Sequence, residues 1–143
     1  MKATSHKPAG FHTVTPGLCV TNAARLIEFI TTTFDGQVLD RVERPDGGIM
    51  HAQMRVGDSM VEMNDGTERF PARPCSLHIY VPDADAVYRR ALANGAKSLY
   101  EPVDQFYGDR EAGVEDPTGN YWFIATHVED LTAEEMAARM ART

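Results

Sequence analysis

The sequence predicts an α+β fold made of two successive βαβββ modules forming a curved mixed sheet with helices on its convex side, plus a short C-terminal helix. Three observations carry this expectation. Strand-length apolar segments are interrupted twice by a stretch of helical periodicity. Each of these helices closes on an Asx-Gly pair, Asp35-Gly36 and Asn94-Gly95. Each is entered from an equivalent tetrapeptide, Val20-Thr21-Asn22-Ala23 and Val81-Pro82-Asp83-Ala84, so the repeat is one of whole units. The 143 residues suit a single domain, 1–143, with modules at about 11–65 and 75–128 and the last helix at about 132–142.

In the first module Val14, Leu18 and Val20 share a parity and give a strand over Thr13–Val20, which Pro16 marks as edge or bulged. Asn22 caps a helix whose apolar stripe is Ala23, Leu26, Ile27, Ile30 and Phe34, with Gly36 as its stop. Strands follow at Gln37–Arg44, Ile49–Val56 and Ser59–Asn64, the last two joined by a two-residue turn at Gly57-Asp58. Asp65–Cys75, with Gly66, Pro71 and Pro74, reads as a linker.

The second module repeats the order. Ile79–Val81 is a strand, Asp83 an N-cap, and Ala84, Val87, Tyr88, Ala91 and Leu92 the buried stripe of a helix. Lys97–Val103 is a strand, Gln105–Arg110 a loop, and Ala112–Glu115 a strand that turns at Asp116-Pro117-Thr118-Gly119 into Asn120–Thr126. Thr132 and Glu135 stand at capping-box spacing before Met136, Ala137 and Met140, a helix expected to pack on the domain or against a partner chain. Met1–Gly10 reads as a loose tail.

Composition removes several function classes. A net charge of −7 without a Lys/Arg cluster is wrong for a surface that neutralises phosphates, so no nucleic acid is expected. No apolar run reaches bilayer-spanning length and the N-terminus lacks a signal pattern, which predicts a cytoplasmic protein with no membrane partner. Cys19 and Cys75 have no metal or redox spacing and read as small buried apolar residues.

Strand parity separates the helix-covered face from its opposite. In the first module Met50, Ala52, Met54, Val56, Val61 and Met63 form the covered set. His51, Gln53, Arg55, Met60, Glu62 and Asn64 form the other, with Gln53 directly across from Glu62. The plain alternative is a solvated surface with a diagonal Arg55–Glu62 pair, but this mixture of imidazole, amide, guanidinium and carboxylate resembles a binding surface. In the second module Ser76, His78 and Tyr80 share a face, Tyr121, Phe123 and Ala125 share one face of the last strand, and Trp122 and Ile124 take the other. The Gln105–Arg110 loop brings Tyr107, Asp109 and Arg110 to the mouth of that sheet, to touch a ligand or to pin the loop.

The order of elements, with Asp116-Pro117-Thr118-Gly119-Asn120-Tyr121-Trp122, resembles the vicinal oxygen chelate superfamily of glyoxalases, bleomycin-resistance proteins and extradiol dioxygenases. Pro45-Asp46-Gly47, His51-Ala52, Gly57-Asp58-Ser59, the run Asp104 to Arg110, and Ala125-Thr126-His127 look like its glyoxalase-like subgroup named after a phosphonate-operon protein. Metal-dependent members hold one divalent ion at positions that fall here on Thr15, Glu62, Ser76 and Phe123, and only Glu62 is a strong ligand. The resemblance therefore implies a small-molecule-binding protein without a metal centre, its ligand lined by His51, Gln53, Arg55, Glu62, His78, Tyr80, Tyr107 and Phe123. The alternative is a divalent-metal-dependent lyase/isomerase or dioxygenase-like enzyme, using Glu62 with His51 or His78, in which Glu62 would be catalytic. A homodimer is the expected assembly.

Overall fold

A computed structural model describes residues 1–143, which divide into two compact units, Met1–Pro74 and Cys75–Thr143. The first holds β1 (Gly17–Val20), α1 (Ala23–Phe34), β2 (Gln37–Glu43), β3 (Ile49–Val56) and β4 (Ser59–Asp65). The second holds β5 (Ser76–Tyr80), α2 (Ala84–Ala93), β6 (Lys97–Asp104), β7 (Asp109–Glu115), β8 (Tyr121–His127) and α3 (Ala133–Met140). Each unit is βαβββ with its own four-stranded mixed sheet, in the orders β1-β4-β3-β2 and β5-β8-β7-β6. No helix is long and apolar enough to cross a membrane.

The first unit's core forms where the α1 stripe meets the predicted sheet parity: Leu26, Ile27, Phe29 and Ile30 lie buried with Ala52, Met54 and Met63. Asn22 caps α1 by accepting from the Arg25 N–H, and the left-handed residue at its end is Asp35 (φ 55°). Gly36 is needed next to it because a Cβ there would stand 2.7 Å from Ile30 Cγ2. The Gly57-Asp58 turn pairs Val56 with Ser59 and sets Gln53 opposite Glu62, the register parity predicts.

Six burial assignments are corrected, those of Met50, Val14, Leu92, Met60 and the two cysteines. Met50 is 53% exposed while Ile49 is fully buried, because a bulge opposite Val42 and Glu43 shifts the start of β3 by one residue. The Asp65 carboxylate fixes that bulge by accepting the backbone N–H groups of Ile49 (2.7 Å) and Ala23 (2.8 Å). Asp65 thus closes β4 instead of opening a linker; partial burial pushes its pKa up, but these hydrogen bonds and Arg44 outweigh burial and hold it below the usual carboxylate value. Val14 is exposed because β1 begins only at Gly17, after Pro16, whose carbonyl accepts from the Glu62 N–H. Leu92 is exposed at the edge of the α2 stripe, and Met60 is buried because the tail turns over it at Gly10, where a Cβ would lie 2.9 Å from Met60 Cε. The two cysteines are half-buried and free, not core residues, and the Cys19 thiol sits 3.5 Å from the Phe70 carbonyl.

In the second unit Ala84, Val87, Tyr88 and Ala91 of α2 are buried, as are Ala112, Val114, Trp122 and Ile124 of the sheet. Thr132 caps α3 through the Glu135 N–H, and an Arg139–Glu129 ion pair ties the helix to the segment after β8. None of the α3 residues is buried.

Candidate functional site

The second unit's sheet face away from α2 gathers a cluster of polar and aromatic side chains around two buried carboxylates. Its origin is a register that the sequence reading placed elsewhere. β7 begins at Asp109, not at Ala112, because the preceding turn is only four residues: the Gln105 N–H donates to the Asp109 carbonyl (2.7 Å) and Gly108 takes φ +94°. Asp109, Glu111 and Gly113 then alternate with Arg110, Ala112 and Val114, and the odd residues share the face of His78, Tyr80 and Phe123.

Glu111, 5% exposed, is the centre of the cluster. Tyr100 from β6 donates to Oε1, Tyr107 donates to Oε2 (2.8 Å), and His78 Nε2 lies 3.1 Å from the same oxygen. Tyr100 reaches inward because Gly113 opposite it has no side chain; a Cβ there would stand 2.7 Å from the tyrosine ring. The ring stacks with Phe123 at 6.4 Å between centroids. Desolvation, then the hydrogen bond and charge of Glu111, push the Tyr100 and Tyr107 phenols well above their ordinary value of 10.0.

Asp109, 4% exposed, forms the second centre. It accepts from Tyr80 Oη (3.2 Å) and from His127 Nδ1 (2.7 Å), whose other nitrogen lies 2.7 Å from Asp130. Both nitrogens face carboxylates, which favours the doubly protonated imidazolium; Asp130 first and then Asp109 raise its pKa above the ordinary 6.5. The stability held in this contact is full below pH 6.5 and falls as pH climbs through the raised value. Asp130→Asn should lower the His127 pKa in an NMR titration while leaving its Asp109 contact in place.

Of the residues singled out from sequence, His78, Tyr80, Tyr107 and Phe123 meet on this face. Tyr107 directs its hydroxyl to Glu111. Arg110 turns to the opposite face, where it pairs with Asp85 (2.7 Å) and Asp104 (3.2 Å). His51, Gln53, Arg55 and Glu62 belong to the first unit and share its open face; Arg55 donates to Gln37 (2.8 Å) and not to Glu62. Because Glu62 is only half-buried, Glu62→Gln should change unfolding free energy by less than about 0.5 kcal/mol in urea denaturation. Glu111 and Tyr100 were not selected from sequence. The signal for Glu111 was the Asp109-Glu111-Gly113 alternation, hidden by reading Gln105–Arg110 as loop.

Against a model of the Glyoxalase/Bleomycin resistance protein/Dioxygenase superfamily, residues 10–124 of this chain match. The chain belongs to that superfamily. An uncharacterised protein of Mycobacterium tuberculosis is 34% identical over 139 residues, spanning 90% of this chain and 82% of that protein. Its Mycobacterium bovis counterpart is 34% identical with 91% of its length covered. Among solved structures, TioX from Micromonospora sp. ML1 superposes with a TM-score of 0.70 at 23% identity, over 82% of this chain and 99% of that one. A PhnB protein from Bacillus cereus, described as a putative 3-demethylubiquinone-9 3-methyltransferase, gives 0.66 at 18% identity over 80% and 99%. These two likenesses are of fold.

The superfamily's metal positions do not suit a divalent centre in this chain. Thr15 lies ahead of β1, Ser76 offers a hydroxyl, Phe123 presents a ring to Tyr100, and Glu62 alone supplies a carboxylate. A different trio, His78, Asp109 and Glu111, brings its ligand atoms within 4.8 Å of one another.

Proposed function

We propose that this chain is a small-molecule-binding protein that uses no metal centre, and that its ligand lies on the face of the second unit around Glu111. The observation that carries this reading is the state of the Glu111 carboxylate: both oxygens already receive protons from Tyr100, Tyr107 and His78. Three of the carboxylate's roughly four lone-pair sites are thus used within the protein, and the group holds the surrounding rings in place. Phe123 and Tyr121 then offer edges and faces for stacking, and Tyr80, 64% exposed, offers a rim. For the first unit, a ligand-binding role of His51, Gln53, Arg55 and Glu62 on that unit's own sheet face is a separate proposal.

The second reading is an enzyme with one divalent ion, favoured by the convergence of His78, Asp109 and Glu111 and replacing the Glu62, His51 and His78 set expected from sequence. Glu111 keeps one lone pair that such an ion could use. Elemental analysis of protein made without a polyhistidine tag separates the two readings. We expect metal well below one ion per chain and no rise in melting temperature on adding zinc or manganese. One tightly held ion per chain, lost in Glu111→Gln, supports the enzyme.

A further inference from the structure

The direction of the hydrogen bonds on this face specifies the polarity of what it binds. Tyr100 and Tyr107 each place their single hydroxyl proton on Glu111, and Tyr80 places its own on Asp109. His78 meets Glu111 through Nε2, which must carry a proton because an ionised carboxylate only accepts. The protons on these side chains are therefore turned inward. What remains toward a ligand is the lone pairs of the phenol oxygens and the faces of electron-rich rings.

Charge points the same way. β5 and β8 contain no Lys or Arg, and Arg110, the only cation of β7, is held on the other face by Asp85 and Asp104. Lys97 stands at the far end of β6, where its Cα partner is Glu115. Near the cluster centre the two buried carboxylates thus meet three phenols, His78 and His127, and no Lys or Arg. A carboxylate behind a phenol also makes that ring a better partner for positive charge, and a cation over an aromatic ring is held more strongly where water is excluded.

We infer that this face selects a planar organic cation, of the amidinium or aromatic ammonium class, and rejects carboxylates and phosphonates. The inference rests on the reading that the second unit's face is the ligand site, and it adds the chemical class of the ligand. A flat delocalised cation lies against Phe123 and the tyrosine rings while its N–H groups meet the phenol lone pairs. An oxyanion in the same place would find acceptors facing acceptors.

The test uses the 143-residue chain in chelator, titrated with benzamidinium, its neutral isostere benzamide, and benzoate, each followed by amide chemical shifts. Benzamidinium should shift signals of His78, Glu111 and Phe123 and bind at least about tenfold more tightly than benzamide, with benzoate silent. Glu111→Gln should erase most of that preference, and Phe123→Leu, which leaves the carboxylates untouched, should weaken benzamidinium more than benzamide. If benzamide or benzoate binds this face as tightly as benzamidinium, the cation assignment is overturned while the site survives. If no probe shifts these residues at millimolar concentration, the cation assignment falls, and a broader library then decides the site itself. Zinc that shifts the same residues and competes with benzamidinium in chelator-free buffer would reassign the face to a metal ion.

Discussion

Asp116→Ala should lower the unfolding free energy by about 2–4 kcal/mol, the largest loss expected from any single polar truncation in this chain. Asp116 is 2% exposed and serves five donors: the Thr118 N–H (2.7 Å) and hydroxyl (2.7 Å), the Asn120 N–H (3.3 Å) and Nδ2 (3.2 Å), and Trp122 Nε1 (2.7 Å). Truncation removes the acceptor that replaces water for these buried groups. Asn120 in turn accepts the Cys75 N–H, so the disturbance reaches the start of β5. In urea denaturation Asp116→Asn should recover part of the loss, since an amide oxygen still accepts from the indole. A change in Asp116→Ala below about 1 kcal/mol would mean that the turn holds itself without the carboxylate.

Glu111→Leu should cost about 1–3 kcal/mol near neutral pH, because the hydroxyls of Tyr100 and Tyr107 and the His78 N–H lose a buried acceptor. It should also change the alkaline behaviour. In the native protein both phenols titrate above 10.0, so folding stability falls as pH rises past that value, where the unfolded chain releases phenol protons first. Removing Glu111 removes its charge and hydrogen bonds and leaves desolvation with the smaller effects of Asp109 and the neighbouring phenols. Of the five tyrosines, two should therefore titrate at lower pH in an ultraviolet titration of the variant, and the alkaline loss should become less steep. An unchanged tyrosine titration would show that burial alone, and not the carboxylate, sets these phenols.

The fold was legible because its signals are local. Asn22 and Asp83 cap their helices where the sequence places them, and the Gly57-Asp58 turn fixes the β3-β4 register to the residue. The Asp116 motif that carried the family resemblance proves to be a structural device, a carboxylate tying a turn to an indole, so it identifies the fold and not the chemistry. The errors lie where a bulge or a short turn breaks parity. Met50 and Ile49 exchanged places through a bulge held by Asp65, a contact 16 residues away that no local pattern reveals. Glu111 was missed for the same kind of reason: a tight turn at Gly108 extends β7 by three residues beyond its expected start. Tyr100 needed two further facts, the irregular register of β6 around it and the missing side chain at Gly113.

The most direct test of the account is a ligand screen by protein-observed NMR, run on the full chain in excess chelator. Hits should bind without metal, their shifts should gather on His78, Tyr100, Glu111 and Phe123, and binding should weaken in Glu111→Gln. Hits that appear only after a divalent ion is restored, or whose shifts leave these four residues unmoved, would contradict it.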